Sequence, residues 1–510
     1  MENIYVERVR ANVKRQALYC DMLGSARWVG ELAQRYPARE ITPLTPWFAN
    51  ISIHDVEITG CSTLVDVSAL PEKPVKNFFF GNVKAHCDRI GKICDATKFS
   101  MKDVRIESCD TVMRIDNCDY ASFFGFSNVT TGSSVKIEKT GGECRYLNVQ
   151  TYPLVPVNYQ SIRPGEVWLD TEGKPIQAHG FQVTFREGKY YWYGEDKTHT
   201  LFGTNRMFGG VRCYSSTDFY NWKDEGRIIE PATDPHSPLH HCQKLERPHI
   251  LYCAKTGRYV CWLKSQSNDG HFVILEAEHF MGPYHFVRNL KPNGFAVGDF
   301  DMYADPDTGK GYVWFERPHW EQICAELSDD YTNVNGRYSE HFVGKVPPFT
   351  REAAAHFVMD GKHYIYTSGT TSYTPNPSEV AVFDDYHGEY TVLGNPHIGD
   401  EYAHSFCSQI TSVIKIPGKD LYVAMADRWL PHTNKTDIPK KDWQSFLTRY
   451  KDHRPYPKDF ATPKVADRFY TLVNPNQDVY KATYVFLPIV VKDGIPMIEW
   501  KDEWKLENYE

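Results

Sequence analysis

One figure recurs five times between residues 179 and 422: a polar residue heads a short apolar strand, and a glycine-containing turn leads into an aromatic strand. Its clearest copy is Arg351-Glu352-Ala353-Ala354-Ala355-His356-Phe357-Val358, followed after Asp360-Gly361 by Tyr364-Ile365-Tyr366. In the other copies His179 leads to Tyr190, Glu246 to Tyr259, Asp301 to Tyr312 and Gln409 to Tyr422. The aromatic anchors lie 52 to 69 residues apart. A period of that size, built from short strands, is the pattern of propeller blades. Each blade is a small antiparallel sheet whose innermost strand lines the central axis. The spacing therefore predicts a five-bladed propeller with His179, Glu246, Asp301, Glu352 and Gln409 converging at one mouth. A single polar residue at a strand start is ordinarily a solvated turn residue. Five in register, three of them acidic, point instead to a site, because like charges held close raise each other's pKa at a cost.

The length of 510 residues calls for more than one domain. Aromatic residues make up 14% of the chain, with 32 Tyr and 12 Trp, which suits stacking on sugar rings and large β cores alike. A net charge of −8 argues against nucleic acid or an anionic membrane as the partner. No apolar run reaches the length of a membrane span. The start Met1-Glu2-Asn3-Ile4-Tyr5-Val6 lacks the apolar segment of a signal peptide. The 13 cysteines are scattered without a Cys-x-x-Cys pair, which reads as reduced thiols.

Residues 1–155 have a different texture. Short strands carry an Asn-Val or Asp-Val step at Asp55-Val56, Asn82-Val83, Asp103-Val104 and Asn128-Val129, with valines 21 to 27 residues apart. Second strands lie between them, at Leu64-Val65-Asp66-Val67, Val112-Met113-Arg114-Ile115 and Val135-Lys136-Ile137. One rung per repeat predicts part of a right-handed parallel β-helix. Because the step residue varies, no stacked asparagine ladder is expected at that step. The first coil, near Asn3-Ile4-Tyr5-Val6, shows no cap, so a second chain or an upstream segment is expected to cover that edge. Through Thr42-Pro43-Leu44-Thr45-Pro46-Trp47-Phe48-Ala49-Asn50-Ile51 and the stretch from Gly60 to Asn77, this part resembles the C-terminal coils of glycoside hydrolase family 28. That family's catalytic motifs are absent here, so the resemblance implies a catalytically empty β-helix. Pro153, Pro156, Pro164 and Gly165 mark a linker, and residues 156–510 form the propeller domain. Within it, residues 431–480 read as a long surface insertion.

The propeller residues are similar to glycoside hydrolase family 43, in particular its branch of exo-β-1,3-galactanases. The carrying motifs are Ala178-His179-Gly180, Tyr191-Trp192-Tyr193-Gly194-Glu195, Cys213-Tyr214-Ser215-Ser216, Glu246-Arg247-Pro248, Asp301-Met302, Arg351-Glu352-Ala353, Ser408-Gln409 and Asp427-Arg428-Trp429. The resemblance implies that Glu352 is the general acid and that Asp301 orients it and tunes its pKa. It implies that Glu246 and Glu195 hold sugar hydroxyls. The family inverts configuration, which calls for a second carboxylate acting on water. The place of the usual base holds Gln177-Ala178-His179, with no carboxylate. In the galactanase branch a glutamine matching Gln409 positions the water; a neutral amide is a poor base, so Glu246 is the reserve. Further sugar-binding candidates are His179, Thr370, Tyr373, Asp427, Arg428, Trp429 and Glu316. Arg428 is expected to pair with an axial acid. The chain departs from the branch in reading Arg351-Glu352-Ala353-Ala354 for Arg-Glu-Ala-Pro, and Thr371-Ser372-Tyr373 for Thr-Gly-Trp. The second change alters a sugar-stacking platform.

No cofactor is required by this reading. A structural Ca²⁺ at the axis is an expectation carried over from other family members, with His404 bound to it through water, although calcium prefers oxygen ligands. His240-His241 beside His236 has a metal-like look, yet a histidine group in a proline-rich loop is ordinarily solvated. Asp305-Pro306-Asp307-Thr308-Gly309 is a turn, since an EF-hand series would continue. The sequence points to an inverting exo-glycosidase that removes terminal galactose from β-1,3-galactan side chains of plant polysaccharide. It leaves open a galactofuranosidase or α-L-arabinofuranosidase on the same fold, and, from another class, a non-catalytic glycan-binding protein.

Overall fold

The computed structural model describes residues 1–145, 147–151, 157–198, 200, 208–266, 270–345, 347, 349–371, 373, 375–429 and 479–510. The expected surface insertion falls almost wholly outside the described residues, as does the start of the linker. The chain forms two compact units, one of Met1–Val157 and one made of the bulk of residues 158–510.

In the first unit the strands are stacked in parallel, as the rung arithmetic predicts. Glu2–Asn12 pairs with Ala49–Ser68, which pairs with Val75–Glu107; that strand then pairs with Val112–Asp119 and Ser122–Asn128. Strands this long are continuous ladders that bend at residues in the left-handed region. Asn3, Asn50 and Asn77 occupy one such corner with φ of 58°, 54° and 53°. Their amides form a stack: Asn50 Nδ2 donates to Asn3 Oδ1 at 3.1 Å and Asn77 Nδ2 to Asn50 Oδ1 at 2.9 Å. An asparagine ladder therefore exists, at a position other than the Val step. Asparagine suits it because it tolerates φ > 0 and its amide both donates and accepts. The step residues Asp55, Asn82 and Asp103 form a second left-handed corner, and Asn82 Nδ2 donates to Asp55 Oδ1 at 2.6 Å. Asn128 stands apart from this stack and donates to the Ser108 and Asp110 carbonyls. The interior is apolar, with Phe78 and Phe99 stacked at 4.8 Å.

The second unit contains five antiparallel sheets, each the blade of a propeller. The inner strands are His179–Arg186, Leu245–Cys253, Phe300–Ala304, Arg351–Met359 and Gln409–Lys415. Each begins at, or within two residues of, a head predicted from the repeat. Four of these strands break register near the head, the fifth between Ile410 and Ser412 and the other three directly after the head. The pairing passes from His179↔Glu195 to Gln182↔Tyr193, from Glu246↔Lys264 to His249↔Trp262, and from Glu352↔Ser368 to Ala355↔Tyr366. The residue following each of these three heads, Gly180, Arg247 or Ala353, has φ of 53°, 52° or 49°. These are β-bulges, which bend the strand and re-aim the side chain next to them. Gly180 meets a second demand, because a Cβ there would lie 2.4 Å from Glu195 Oε1.

A bulge leaves a backbone N–H without its ladder partner, and a buried one is costly. Carboxylates of neighbouring blades accept these protons. Asp301 accepts from the His356 N–H at 2.6 Å, past the bulge of that strand, while two bulge residues themselves donate, Arg247 N–H to Glu195 at 3.0 Å and Gly180 N–H to Asp427 at 2.8 Å. The last contact joins the fifth blade to the first. The same junction holds a shared aromatic core of Trp168, Trp192, Trp222, Tyr484 and Phe486.

Several buried histidines sit away from the axis. His356 lies against Trp314 with ring centroids 4.5 Å apart and contacts His363 at 3.0 Å. Burial, with a smaller push from His363, holds His356 well below the usual imidazole range. Burial lowers His341 to about 4, helped by His387, and lowers His397 to about 4. A histidine depressed in the folded state binds its proton more readily when unfolded. Its stabilisation is thus complete above the unfolded value of 6.5 and is lost as the pH falls towards about 4. The expected outcome is a Tm that declines steadily across that window in differential scanning fluorimetry; a flat profile would contradict it.

Candidate active site

A cavity of about 450 Å³ opens at the mouth of the propeller, within the size range of small-ligand sites. Of the residues predicted from sequence, Glu352, Gln409, Glu246, Glu195, Tyr373, Trp429 and Glu316 line it. Asp301, His179, Thr370, Asp427 and Arg428 do not.

Asp301 is buried outside the cavity lining, on an inner strand that lacks the bulge. Pairing from Phe300↔Phe315 to Ala304↔Gly311 is unbroken. Asp301 is therefore not re-aimed, and it contacts His249 Nε2 at 2.9 Å and the Met302 and His356 N–H groups. Asp299, two residues earlier, takes the place at the mouth. His179 is fully buried and pairs with Asp427 at 2.9 Å, so both belong to the junction of the first and fifth blades. The Thr370 hydroxyl meets that of Thr350 at 2.7 Å. Arg428 donates to the Phe406 carbonyl at 2.9 Å and lies over the Trp500 ring. Among the described residues no acid pairs with it, contrary to expectation, because its position one past Asp427 turns it away from the axis.

Cations missed by the sequence reading also line the cavity: Lys197, Lys244, Arg247 and Lys264. Lys264 stands opposite Glu246 on the adjacent strand. Its ammonium bridges Glu246 Oε2 and Asp299 Oδ1, each at 2.6 Å. Arg247 holds Asp299 Oδ2 through Nε at 2.8 Å. Lys197 holds Glu195 Oε2 at 2.5 Å. Cross-strand register is the signal that finds Lys264, since it needs only the hairpin Glu246–Ser265 folded at its turn. Glu316 reaches the cavity because Gly298 leaves room, where a Cβ would come within 2.1 Å of Glu316 Oε2.

These pairs divide the carboxyls into two states. Burial, with the negative charges of Asp299 and Glu316 added, pushes Glu352 well above the usual carboxylate range. Burial acts in the same sense on Glu246, but Lys264, Lys244 and Lys197 outweigh it and hold Glu246 below that range. Asp299 is likewise held down against its burial, by Arg247 and Lys264. Burial outweighs Lys197 and pushes Glu195 upward as well, so the cavity holds carboxyls shifted in opposite directions, Glu352 and Glu195 up and Glu246 and Asp299 down, the separation that acid–base chemistry requires.

Gln409 is fixed by donors. Its Oε1 accepts from Arg247 Nη2 at 2.8 Å and from Trp429 Nε1 at 3.1 Å; both groups can only donate, which sets the amide orientation. Its Nε2 donates to Ser368 Oγ at 3.0 Å and points at Glu352 Oε1 at 3.3 Å. Tyr373 and Trp429 form an aromatic corner, with centroids 5.2 Å apart at 69°.

His404, the residue expected near an axial Ca²⁺, is engaged with Asp400. Burial would lower its pKa, but the Asp400 carboxylate at 2.9 Å prevails and pushes it up to about 9. Asp400 is engaged further by the His404 and Ser405 N–H groups. His240, His241 and Cys242 bring ligand atoms within 4.8 Å of one another on a loop, and His236 is not part of that group.

A carboxyl whose folded pKa lies above its unfolded value costs stability once the pH exceeds the unfolded value, about 1.4 kcal/mol for each unit of difference. Glu352→Gln removes that cost and keeps the volume. It should raise Tm, and by more at about pH 8 than at about pH 5, where less of the unfolded chain's carboxyl is ionised. An unchanged or lower Tm at the higher pH would show that Glu352 is not held neutral.

Residues 181–413 match the family model described as Glycosyl hydrolases family 43. No curated protein sequence matches the chain. Among solved structures, a GH43 β-1,3-galactosidase is 27% identical with a TM-score of 0.56, covering 69% of this chain and 65% of its own. The chain thus spans slightly less than two thirds of that relative's length. A second GH43 β-1,3-galactosidase, solved with galactodeoxynojirimycin, is 27% identical with a TM-score of 0.55, covering 68% of this chain and 100% of its own. An exo-β-1,3-galactanase from Clostridium thermocellum is 25% identical with a TM-score of 0.52, covering 67% of this chain and 66% of its own. The bladed fold and the acid at the head of the fourth inner strand accord with the match of residues 181–413 to the model of glycosyl hydrolases family 43.

Proposed function

We propose that the protein is an inverting, exo-acting glycoside hydrolase that releases terminal galactose from β-1,3-linked galactan chains. The observation that carries this reading is the neutral Glu352 facing ionised carboxylates in one cavity of single-sugar scale. The choice of galactose rests on the β-1,3-galactosidases and galactanases to which the propeller is similar.

Glu352 donates its proton to the glycosidic oxygen as the bond to the anomeric carbon breaks. A water attacks the opposite face and must lose a proton to a base. Gln409 is a weak candidate for that task, because both its amide oxygen and its amide nitrogen are engaged. Its role is to hold Glu352 and to tie it to Arg247. Glu246 suits the base better. It is ionised, and its Oε1 has only long contacts, to Lys244 and to the Tyr373 hydroxyl at 3.4 Å each. Asp299 keeps Glu352 protonated by its charge, the tuning role first expected of Asp301. Glu195, pinned by Lys197, and the Tyr373–Trp429 corner orient the sugar. Arg247 Nη1, buried and without an acceptor among the described residues, is available to a sugar hydroxyl.

The test is monosaccharide release from β-1,3-galactobiose, aryl β-galactopyranoside, aryl β-galactofuranoside and aryl α-L-arabinofuranoside. Galactose should appear from the biose, with the α-anomer first by proton NMR. Glu352→Gln should lower kcat by about 10²- to 10⁴-fold, the usual contribution of a general acid. Activity should fall at high pH as Glu352 ionises and at low pH as Glu246 is protonated. Release only from a furanoside would move the substrate and keep the acid. Sugar binding with no turnover of any substrate would leave a binding protein.

A further inference from the structure

One side of the mouth carries aromatic surface that the cavity does not use. Ala296, Val297, Pro318 and His319 line the cavity from the third blade and from the connection entering it. The next residue outward on each segment is aromatic. Phe295 precedes Ala296, and Trp320 follows His319. Trp320 is 63% exposed, and its place is fixed by a tight turn. Its N–H donates to the Arg317 carbonyl at 2.9 Å, and the Arg317 N–H donates to the Glu321 carbonyl at 2.9 Å. The Arg317 guanidinium lies over the Trp320 ring at 5.2 Å and over the Phe295 ring at 5.5 Å, and it is anchored to Glu321 at 2.9 Å. Phe295 in turn meets Tyr338, itself 42% exposed, with centroids 5.3 Å apart at 80°. Trp320, Arg317, Phe295 and Tyr338 thus form a continuous ribbon that begins at the lip and runs outward across the third blade.

This arrangement costs the protein something. A large indole held in water by a turn and a guanidinium contributes little to the core, and exposed apolar surface beside a cavity marks a binding site. We propose that the ribbon is a stacking platform for the sugar units on the leaving-group side of the scissile bond. The inference rests on the exo-galactanase reading. If only the terminal sugar enters the cavity, the rest of the chain must leave through the mouth, and the ribbon is continuous with that exit. Pyranose rings have apolar C–H faces that lie flat on aromatic rings. The Arg317 contact stiffens Trp320, so stacking costs little further ordering. Trp320 would hold the sugar next to the lip, and Tyr338 one further along.

The platform predicts dependence on substrate length. kcat/KM should rise from β-1,3-galactobiose to the tetraose in the unmodified protein. Trp320→Ala should lower kcat/KM for the tetraose by roughly five- to ten-fold, the loss expected for one aromatic contact. The same variant should leave hydrolysis of an aryl β-galactoside unchanged, and Trp320→Phe should recover part of the loss. Melting of each variant is followed alongside, and Tyr338→Ser, on a separate strand, gives an independent reading with a smaller loss confined to the longer oligosaccharides. An equal tetraose-to-aryl ratio in all these proteins would overturn the platform and leave the proposed function standing. Failure of the unmodified protein to cleave any galactan would overturn the substrate assignment and the platform together.

Discussion

The propeller depends on buried carboxylates that accept backbone protons across blade boundaries. Glu195 and Asp427 each take the N–H of a bulge residue of a neighbouring blade, and Asp301 takes that of His356, beyond the bulge of the next blade. A charged acceptor makes a stronger hydrogen bond than a neutral one, and a bulge donor in the interior would otherwise go unmet. The same bulges turn Glu246 and Glu352 towards the axis. Structural cohesion and the catalytic constellation therefore share one local device. The feature that lets the chain aim its acids creates the orphan donors, and further acids satisfy them.

The cavity is also a balanced electrostatic assembly. Lys264 and Arg247 hold Asp299 and Glu246 ionised, while Glu352 has no cation in direct contact among the described residues and stays protonated. Glu195 shows that one cation does not decide the matter, since burial pushes it upward although Lys197 lies at 2.5 Å. Arg247 is central to this. It pairs with Asp299, orients Gln409, and gives its backbone N–H to Glu195.

The blade period and the strand heads were legible from sequence because both are local: a polar residue, an apolar run, a turn and an aromatic strand. Glu352, Glu246 and Gln409 are found at the mouth on that basis. Asp301 is not, because a bulge is a departure from the two-residue period, and Phe300–Ala304 keeps the period its sisters break. Nothing in the residue types of Asp299-Phe300-Asp301 distinguishes the two acids. Lys264 stayed hidden for a different reason: its meaning lies in the residue opposite, across a hairpin. The asparagine stack of the first unit was sought at the valine step, where side-chain types vary, and lies at a corner where backbone conformation selects the residue. Arg428 shows the limit of reading neighbours along a chain, since consecutive strand residues face opposite ways.

The junction of the first and fifth blades has a kinetic meaning. His179 and Asp427 are 248 positions apart, and Tyr484 supports Ala178 from 306 positions away. Such pairings form late, after loops of hundreds of residues have closed, and topologies rich in them fold slowly. Until they form, Trp168, Trp192, Tyr484 and Phe486 have no common core to enter. The ring is thus a clasp whose two halves wait for each other, and the interval before it shuts is when this chain's aromatic surface is most open to aggregation.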